Sequence, residues 1–431
     1  MMAVSVISSI LILGAAVVVL LRIMSNSGIS FGKNKFFDCI LADKGINDSF
    51  NVSAKETFNV FLFALLFRIC IFLISVCAIG MFEENGFSFQ GILNGYSHWD
   101  AKNYMRIAEG GYTYYTENGD YTTLVFFPLY PWLLRLFTLI FKNAVISGII
   151  LSSLLYSGAC CYLYKLLSFD FSKEQARRTL IYISLFPHAF FFGMVMNESM
   201  LLFTMSATLY YIRKHDWMKA GIFGAFASLS RLAGIFLAIP AAVEWLEHYK
   251  IVEKIKQKKI SEVCKLFVTK GLWIFLMLAG TAVYLFCNYK TSGDWFKFLE
   301  YEKKYWYQEN AYFGNGIRVI FEQLKGVPDE NTFAIWIPEA VTVIFIISLI
   351  LYGLRSSRSM YISFLIVYFI VNTGITWPLS LGRYMTCAVP AFMILSDFSQ
   401  RHKAAGQMIT AVMASAMGIL LTAHICGMQV L

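Results

Sequence analysis

Long apolar runs, separated by short polar loops, account for most of the chain. The runs lie at residues 3–21, 57–79, 144–164, 179–196, 268–289, 336–354, 360–377 and 404–425. A helix needs about 20 such residues to cross about 30 Å of hydrocarbon. Shorter runs at 200–212, 218–230, 232–246 and 385–398 complete the pattern, for a total of about twelve helices. The runs are continuous and do not alternate, so the pattern predicts helices and not the strands of a barrel. Residues 218–230 and 232–246 read as two short helices hinged near Ser230 and Arg231. Such a break at membrane depth needs a protein-lined or wet cavity.

Charge sets the expected orientation. The linker 22–56 carries Arg22, Lys33, Lys35, Lys44 and Lys55, and the loops 165–178, 213–219 and 247–265 are basic as well. Basic loops stay in the cytoplasm, which places the N-terminus outside. Residues 3–21 lack a basic leader and a small-residue cleavage site, so they read as a retained helix. Residues 124–141 are apolar enough to count as a span, but Pro128, Pro131 and the Trp132/Arg135 pair suit a helix lying in the outer interface. The expected fold is thus all-α: one polytopic membrane domain over 1–431, with two large outer loops at 80–143 and 290–335 that contain interfacial helices. No internal repeat of the kind found in many transporters is present.

Composition agrees with this class. Apolar residues make up 58% and charged residues 15%, with a mean hydropathy of +0.60, against about half and a quarter in soluble domains. The net charge of +9 follows from the basic loops and suits contact with anionic headgroups. It is not a nucleic-acid signal. The nine cysteines show no metal-binding spacing. Walker A, GxSxG and HExxH patterns are absent, so NTP-driven, serine-hydrolase and zincin chemistry lack support.

The candidate chemistry sits in the first outer loop. Asp100 follows His98 and Trp99, and Gly110-Gly111-Tyr112 ends the short amphipathic stretch that Asp100 begins. Asp100 reads as a helix N-cap. That position would also fix a carboxylate for taking a proton from an attacking hydroxyl. Glu198 falls in a short polar turn between two apolar runs, either as a solvated carboxylate or as a second acidic group near an acceptor. Two carboxylates could hold a divalent cation, although no compact ligand motif accompanies them. Arg231, at the helix break, and Arg383, in an outer turn, are candidates to hold a leaving phosphate by bidentate bonding. Lys102 and Arg106 are weaker candidates. Trp99 and Tyr112 belong to an aromatic set that would form an interfacial belt or stack on sugar.

HWDAKNYMRIAEGGY (98–112) followed by FFPLYP (126–131) resembles the signature of the GPI mannosyltransferase 2 (PIG-V) family and its bacterial relatives. The likeness continues in FPHAFFFGMVMNES (186–199), SRLAGIF (230–236) and LGRYM (381–385). That family has His a few residues after Trp-Asp. Here Asn103 and Tyr104 stand there and His98 precedes the pair, so the later His has no counterpart.

The resemblance implies a GT-C fold and transfer of a sugar, most simply mannose, from a polyprenyl-phosphate donor to a glycan or glycolipid acceptor at the outer face. It makes Asp100 the catalytic candidate, with Glu198 second. Substrate binding would involve His98, Trp99, Lys102, Arg106, Tyr112, Arg231 and Arg383. The membrane would be the bacterial plasma membrane, or the endoplasmic reticulum in a eukaryote. Two other readings are a transporter or flippase of a lipid-linked glycan and a non-catalytic assembly subunit. The collection of polar residues in outer loops, with few charges mid-helix, favours the enzyme.

Overall fold

The computed structural model describes residues 2–29, 49–82 and 87–430. Lys33, Lys35 and Lys44, used above to orient the first linker, lie outside the described residues. The described residues are helical, with two isolated bridges, Glu117 to Asp120 and Asn310 to Ile375, and no strand. Six helices are long and apolar enough to cross a membrane: Met2–Asn26, Ala54–Phe82, Ala144–Leu167, Ile260–Ser292, Thr332–Ser356 and Lys403–Ile425. Length and hydropathy together therefore account for half of the twelve expected. Leu129–Phe141 and Ser359–Thr373 are apolar but shorter.

Local chemistry sets the helix ends. Asn143 caps Ala144–Leu167, its side-chain oxygen accepting from the amides of Val145 and Ile146 at 3.0 Å each. Ser172 and Gln175 form a capping box at Lys173–Leu185. Arg22 donates to the carbonyl oxygens of Ser357, at 3.0 Å, and Leu354. It thereby satisfies acceptors at the C-terminus of Ile337–Ser356.

The run 179–196, expected as one helix, is broken. The α-helix stops at Leu185, before Pro187, and a 3-10 turn follows at Ala189–Gly193. Proline has no amide hydrogen and ends the ladder. Buried non-helical backbone then needs other partners. Arg68, mid-way along Ala54–Phe82, supplies one. It is buried, donates to the Ala189 carbonyl at 2.7 Å, and lays its guanidinium over the Tyr156 ring at 4.5 Å. Ser199 donates to the Phe192 carbonyl at 2.7 Å, and Asn197 to that of Ser230 at 2.8 Å.

One end of the bundle is closed by an ion-pair network. Arg213 binds Asp170 through two bonds of 2.8 and 2.9 Å, and Tyr361 donates to the same carboxylate at 3.0 Å. Glu244 lies 3.0 Å from His215, 3.6 Å from Arg213 and 3.8 Å from Arg358. Segments 165–178, 213–219 and 355–358 and the end of Ala238–His248 thus share one end. Glu198–Arg213 begins at the opposite end, about 24 Å away at 1.5 Å per residue.

The same arithmetic places Leu129–Phe141. Ala144–Leu167 finishes three residues before Asp170, so it starts at the far end of the bundle. Leu129–Phe141 follows Phe126 and Phe127, which are also at that far end. It begins and finishes there, and its 13 residues span about 20 Å, too little to cross upright.

Single cysteines at Lys259, in the basic loop, and at Thr116, in the first polar segment, should label from opposite faces of sealed membrane vesicles. Labelling of both from the same face would overturn this orientation.

Candidate active site

The first site element is the helix Asp100–Gly110. Asp100 is its first helical residue. The cap position belongs to Trp99, and no side chain caps the helix. This corrects the expectation that Asp100 is the cap. Its carboxylate turns away from the helix amides to a guanidinium, where both partners of the bond are charged. Trp99 takes φ 52° and ψ −125°, a sparsely populated conformation for a residue with a side chain, of the kind that clusters at functional sites. Gly111, at φ +79°, closes the helix, as the Gly-Gly pair predicts.

Two further elements converge on Asp100. Arg383 lies in the short helix Leu381–Met385, buried rather than in an open outer turn. Its Nη1 donates to Asp100 Oδ2 at 2.7 Å and its Nε to Glu198 Oε1 at 2.6 Å. Glu198 opens the helix Glu198–Arg213 and is fully buried, so it is not a solvated turn carboxylate. Arg231 stands where Trp217–Ser230 ends. Its Nη1 is 3.6 Å from Glu198 Oε1 and its guanidinium stacks over the Tyr384 ring at 3.7 Å. The order is therefore Asp100, Arg383, Glu198, Arg231, with the signs of charge alternating.

The backbone that carries Arg383 is itself held. Ser380, just before the helix, sits at φ 75°, in the left-handed region. Buried Glu339 accepts from the Gly382 amide at 3.1 Å. A carboxylate at a helix start receives its unpaired amides.

Asp100, Arg231 and Arg383 line a cavity of about 520 Å³. The second polar segment adds Glu302, Tyr305, Trp306, Tyr307 and Gln308 to its lining. Asp120 joins the two segments. It accepts from Lys304 at 2.6 Å and from Tyr305 at 2.8 Å, and these bonds hold its carboxyl below the usual range. Tyr284 donates to the Leu124 carbonyl at 2.6 Å, with its ring stacked on Phe127 at 3.8 Å.

The remaining sequence candidates are dispersed. Trp99 lines the cavity. His98 packs edge-on to His424, with centroids 6.4 Å apart. Tyr112 is buried and donates to the Phe126 carbonyl at 2.6 Å, bracing the loop. Lys102 and Arg106 point to a different cavity, shared with Glu109 and Arg135, and Arg106 stacks on Tyr115 at 3.5 Å. Glu198 is absent from the cavity lining and stands behind the two arginines.

For a divalent cation the donor set does not fit. The Arg383 guanidinium bridges Asp100 and Glu198, so a positive charge already stands between them. No three His, Cys, Asp or Glu side chains gather as a metal site among the described residues. Sequence reasoning missed Glu302, Glu339 and Arg68. An arginine inside the apolar run 57–79 was the legible signal for Arg68; the two glutamates carried none.

Removing one partner of a buried ion pair costs about 3–5 kcal/mol, because the other charge is left uncompensated. Glu198→Gln should therefore lower the thermal unfolding temperature in detergent much more than Asp100→Asn, which leaves Glu198 to balance Arg383. Equal melting of the two variants would remove Glu198 from this role.

Residues 127–284 match the family model described as dolichyl-phosphate-mannose-protein mannosyltransferase. No curated protein matches the chain. Among solved structures, ArnT from Cupriavidus metallidurans bound to undecaprenyl phosphate is 12% identical. The likeness covers 85% of this chain and 77% of that one, with a TM-score of 0.51. The Archaeoglobus fulgidus oligosaccharyltransferase, in complex with Zn and sulfate, is 16% identical over 84% of this chain and 53% of that one, with a TM-score of 0.44. The chain is an integral membrane protein with an all-α, GT-C-like fold.

Proposed function

We propose that this protein is a membrane glycosyltransferase that takes a sugar from a polyprenyl-phosphate donor and passes it to a hydroxyl of a glycan or glycolipid. Mannose is the sugar that the resemblance to the GPI mannosyltransferase 2 family suggests. The observation that carries the reading is the cavity at one end of the bundle, onto which the Asp100 carboxylate and the Arg231 and Arg383 guanidiniums converge. The family match over residues 127–284 supports it. So does the undecaprenyl phosphate bound to ArnT, a protein of the same fold.

In this reading each group has a role that its surroundings allow. The acceptor oxygen attacks the anomeric carbon from the face opposite the phosphate. The bond from that carbon to the phosphate oxygen breaks, and its electron pair leaves with the polyprenyl phosphate. Asp100 stands at the acceptor side, where its carboxylate positions the hydroxyl or takes its proton. Arg383 is already engaged by two carboxylates and keeps Asp100 in place. Arg231 makes a single longer contact to Glu198 and lines the cavity, which suits it to meet the phosphate charge as it develops. The cavity volume of about 520 Å³ lies within the range of about 300–1,000 Å³ usual for small-ligand sites.

Asp100→Asn keeps the shape of the side chain and removes its charge and basicity. The variant should insert and melt much like the wild type and lose transfer by about 10²–10⁴. The assay is sugar transfer from a polyprenyl-phosphate donor in matched membranes. Near-normal turnover would remove Asp100 from the chemistry.

A further inference from the structure

Glu302 is the second carboxylate on the cavity wall, with Asp100 the first, among the described residues. It comes from the helix Lys297–Trp306, about two hundred residues away in sequence. Phe298 and Tyr301 anchor the buried face of that helix, and Asn288 accepts from the Phe298 amide at 3.1 Å. Tyr305 and Lys304 bind Asp120. The helix is therefore pinned on two sides, and Glu302 is delivered to the cavity by a fixed backbone. Its side chain makes no hydrogen bond or ion pair among the described residues, in contrast to Asp100, which Arg383 holds. Trp306 stands one turn on, on the same helix face, and also lines the cavity.

This combination selects a kind of ligand. A carboxylate offers about four acceptor positions and no donor when ionised. An indole offers a flat apolar face. A pyranose ring has the matching surfaces, adjacent hydroxyls on its edge and C–H groups on its face. A site built to bond a hydroxyl also rejects an analogue that lacks one, because the buried polar group is left unpaired.

We propose that Glu302 is a substrate-contacting, specificity-determining residue. Its carboxylate, beside the Trp306 ring, accepts hydrogen bonds from hydroxyls of the sugar that enters opposite Asp100. The proposal rests on the glycosyl-transfer reading and adds a subsite to it.

The surroundings of Glu302 give the subsite a pH signature. Burial pushes its carboxyl up to about 7, with Arg231 opposing the rise. The other charged or titratable groups on the cavity wall are Asp100 and Tyr104, Arg383 and Tyr384, and Tyr305 and Tyr307. Above this value Glu302 is ionised and accepts from the sugar; as pH falls through it, the carboxyl gains a proton and loses acceptor capacity. Sugar binding should weaken as the pH is lowered from 8 to 6.

The test uses the full chain in detergent, with a panel of octyl hexopyranosides below their micellar concentrations as probes. Wild-type protein should bind at least one of them about tenfold more tightly at pH 8 than at pH 6. Glu302→Gln should bind about tenfold more weakly at pH 8, with the pH dependence gone. Glu262→Gln, a carboxylate in the basic loop that pairs with Lys254 and does not line the cavity, should keep both the affinity and its pH dependence. In transfer assays Glu302→Gln should raise KM for the same glycoside and change kcat little. A wild type that binds none of the panel, or a Glu302→Gln variant with wild-type affinity and pH dependence, overturns the proposal. Wild type that binds as described but transfers no sugar from polyprenyl-phosphate donors overturns the transferase reading and leaves the subsite standing.

Discussion

The site depends on one arrangement: a buried guanidinium between two carboxylates. Arg383 is almost wholly enclosed, and taking its charge out of water is costly unless the charge is matched. Glu198 matches it from behind and Asp100 from the cavity side, with bonds of 2.6 and 2.7 Å. The match is also a division of labour. Glu198 is fully buried and holds its place behind the arginines, so Asp100 keeps its edge on the cavity without having to balance Arg383 alone. Arg231 then completes the alternation and faces the cavity with a weaker hold on Glu198.

Such a site can exist only if irregular backbone is tolerated at depth. Asp100, Glu198, Arg231 and Arg383 all stand at the start or end of a helix or in a short one. These are the places where side chains of different segments can meet end-on. They are also where amides and carbonyls lose their helical partners. The structure meets that demand locally. Arg68 takes the Ala189 carbonyl, Asn197 the Ser230 carbonyl, and Glu339 the Gly382 amide. The polar residues around the site are therefore as much a consequence of broken helices as of chemistry. At the other end, the network on Asp170 and Glu244 ties the connecting loops together.

Much of this was legible in the sequence, and the exceptions have a common cause. The apolar runs, the break at Ser230 and Arg231, the Gly-Gly helix end and the choice of Asp100, Glu198, Arg231 and Arg383 as candidates, which the structure brings together, all followed from local pattern or resemblance. What failed was the immediate setting of single side chains. Asp100 was expected to cap its own helix, yet its carboxylate is drawn to Arg383, 283 positions away. Glu198 was read either as a solvated turn carboxylate or as a second acidic group near an acceptor, and its burial excludes the first. Lys102 and Arg106 share a helix with Asp100 but face another cavity, because a helix of eleven residues presents several faces and pattern alone does not say which one meets the bundle.

Sequence by itself determined the class of molecule, its helical elements and the segments that carry polar chemistry. Those properties depend on hydropathy and short-range periodicity, which each segment expresses on its own. Tertiary structure decided the pairing of Arg383 with two carboxylates, the service of Arg68 and Glu339 to broken backbone, and the arrival of Glu302 at the cavity that Asp100 lines. Each of these is a contact between residues far apart in the chain, fixed by how the helices pack and by the need to balance every buried charge. No local pattern encodes such a need, because the partner that satisfies it can come from any segment that reaches the same end of the bundle.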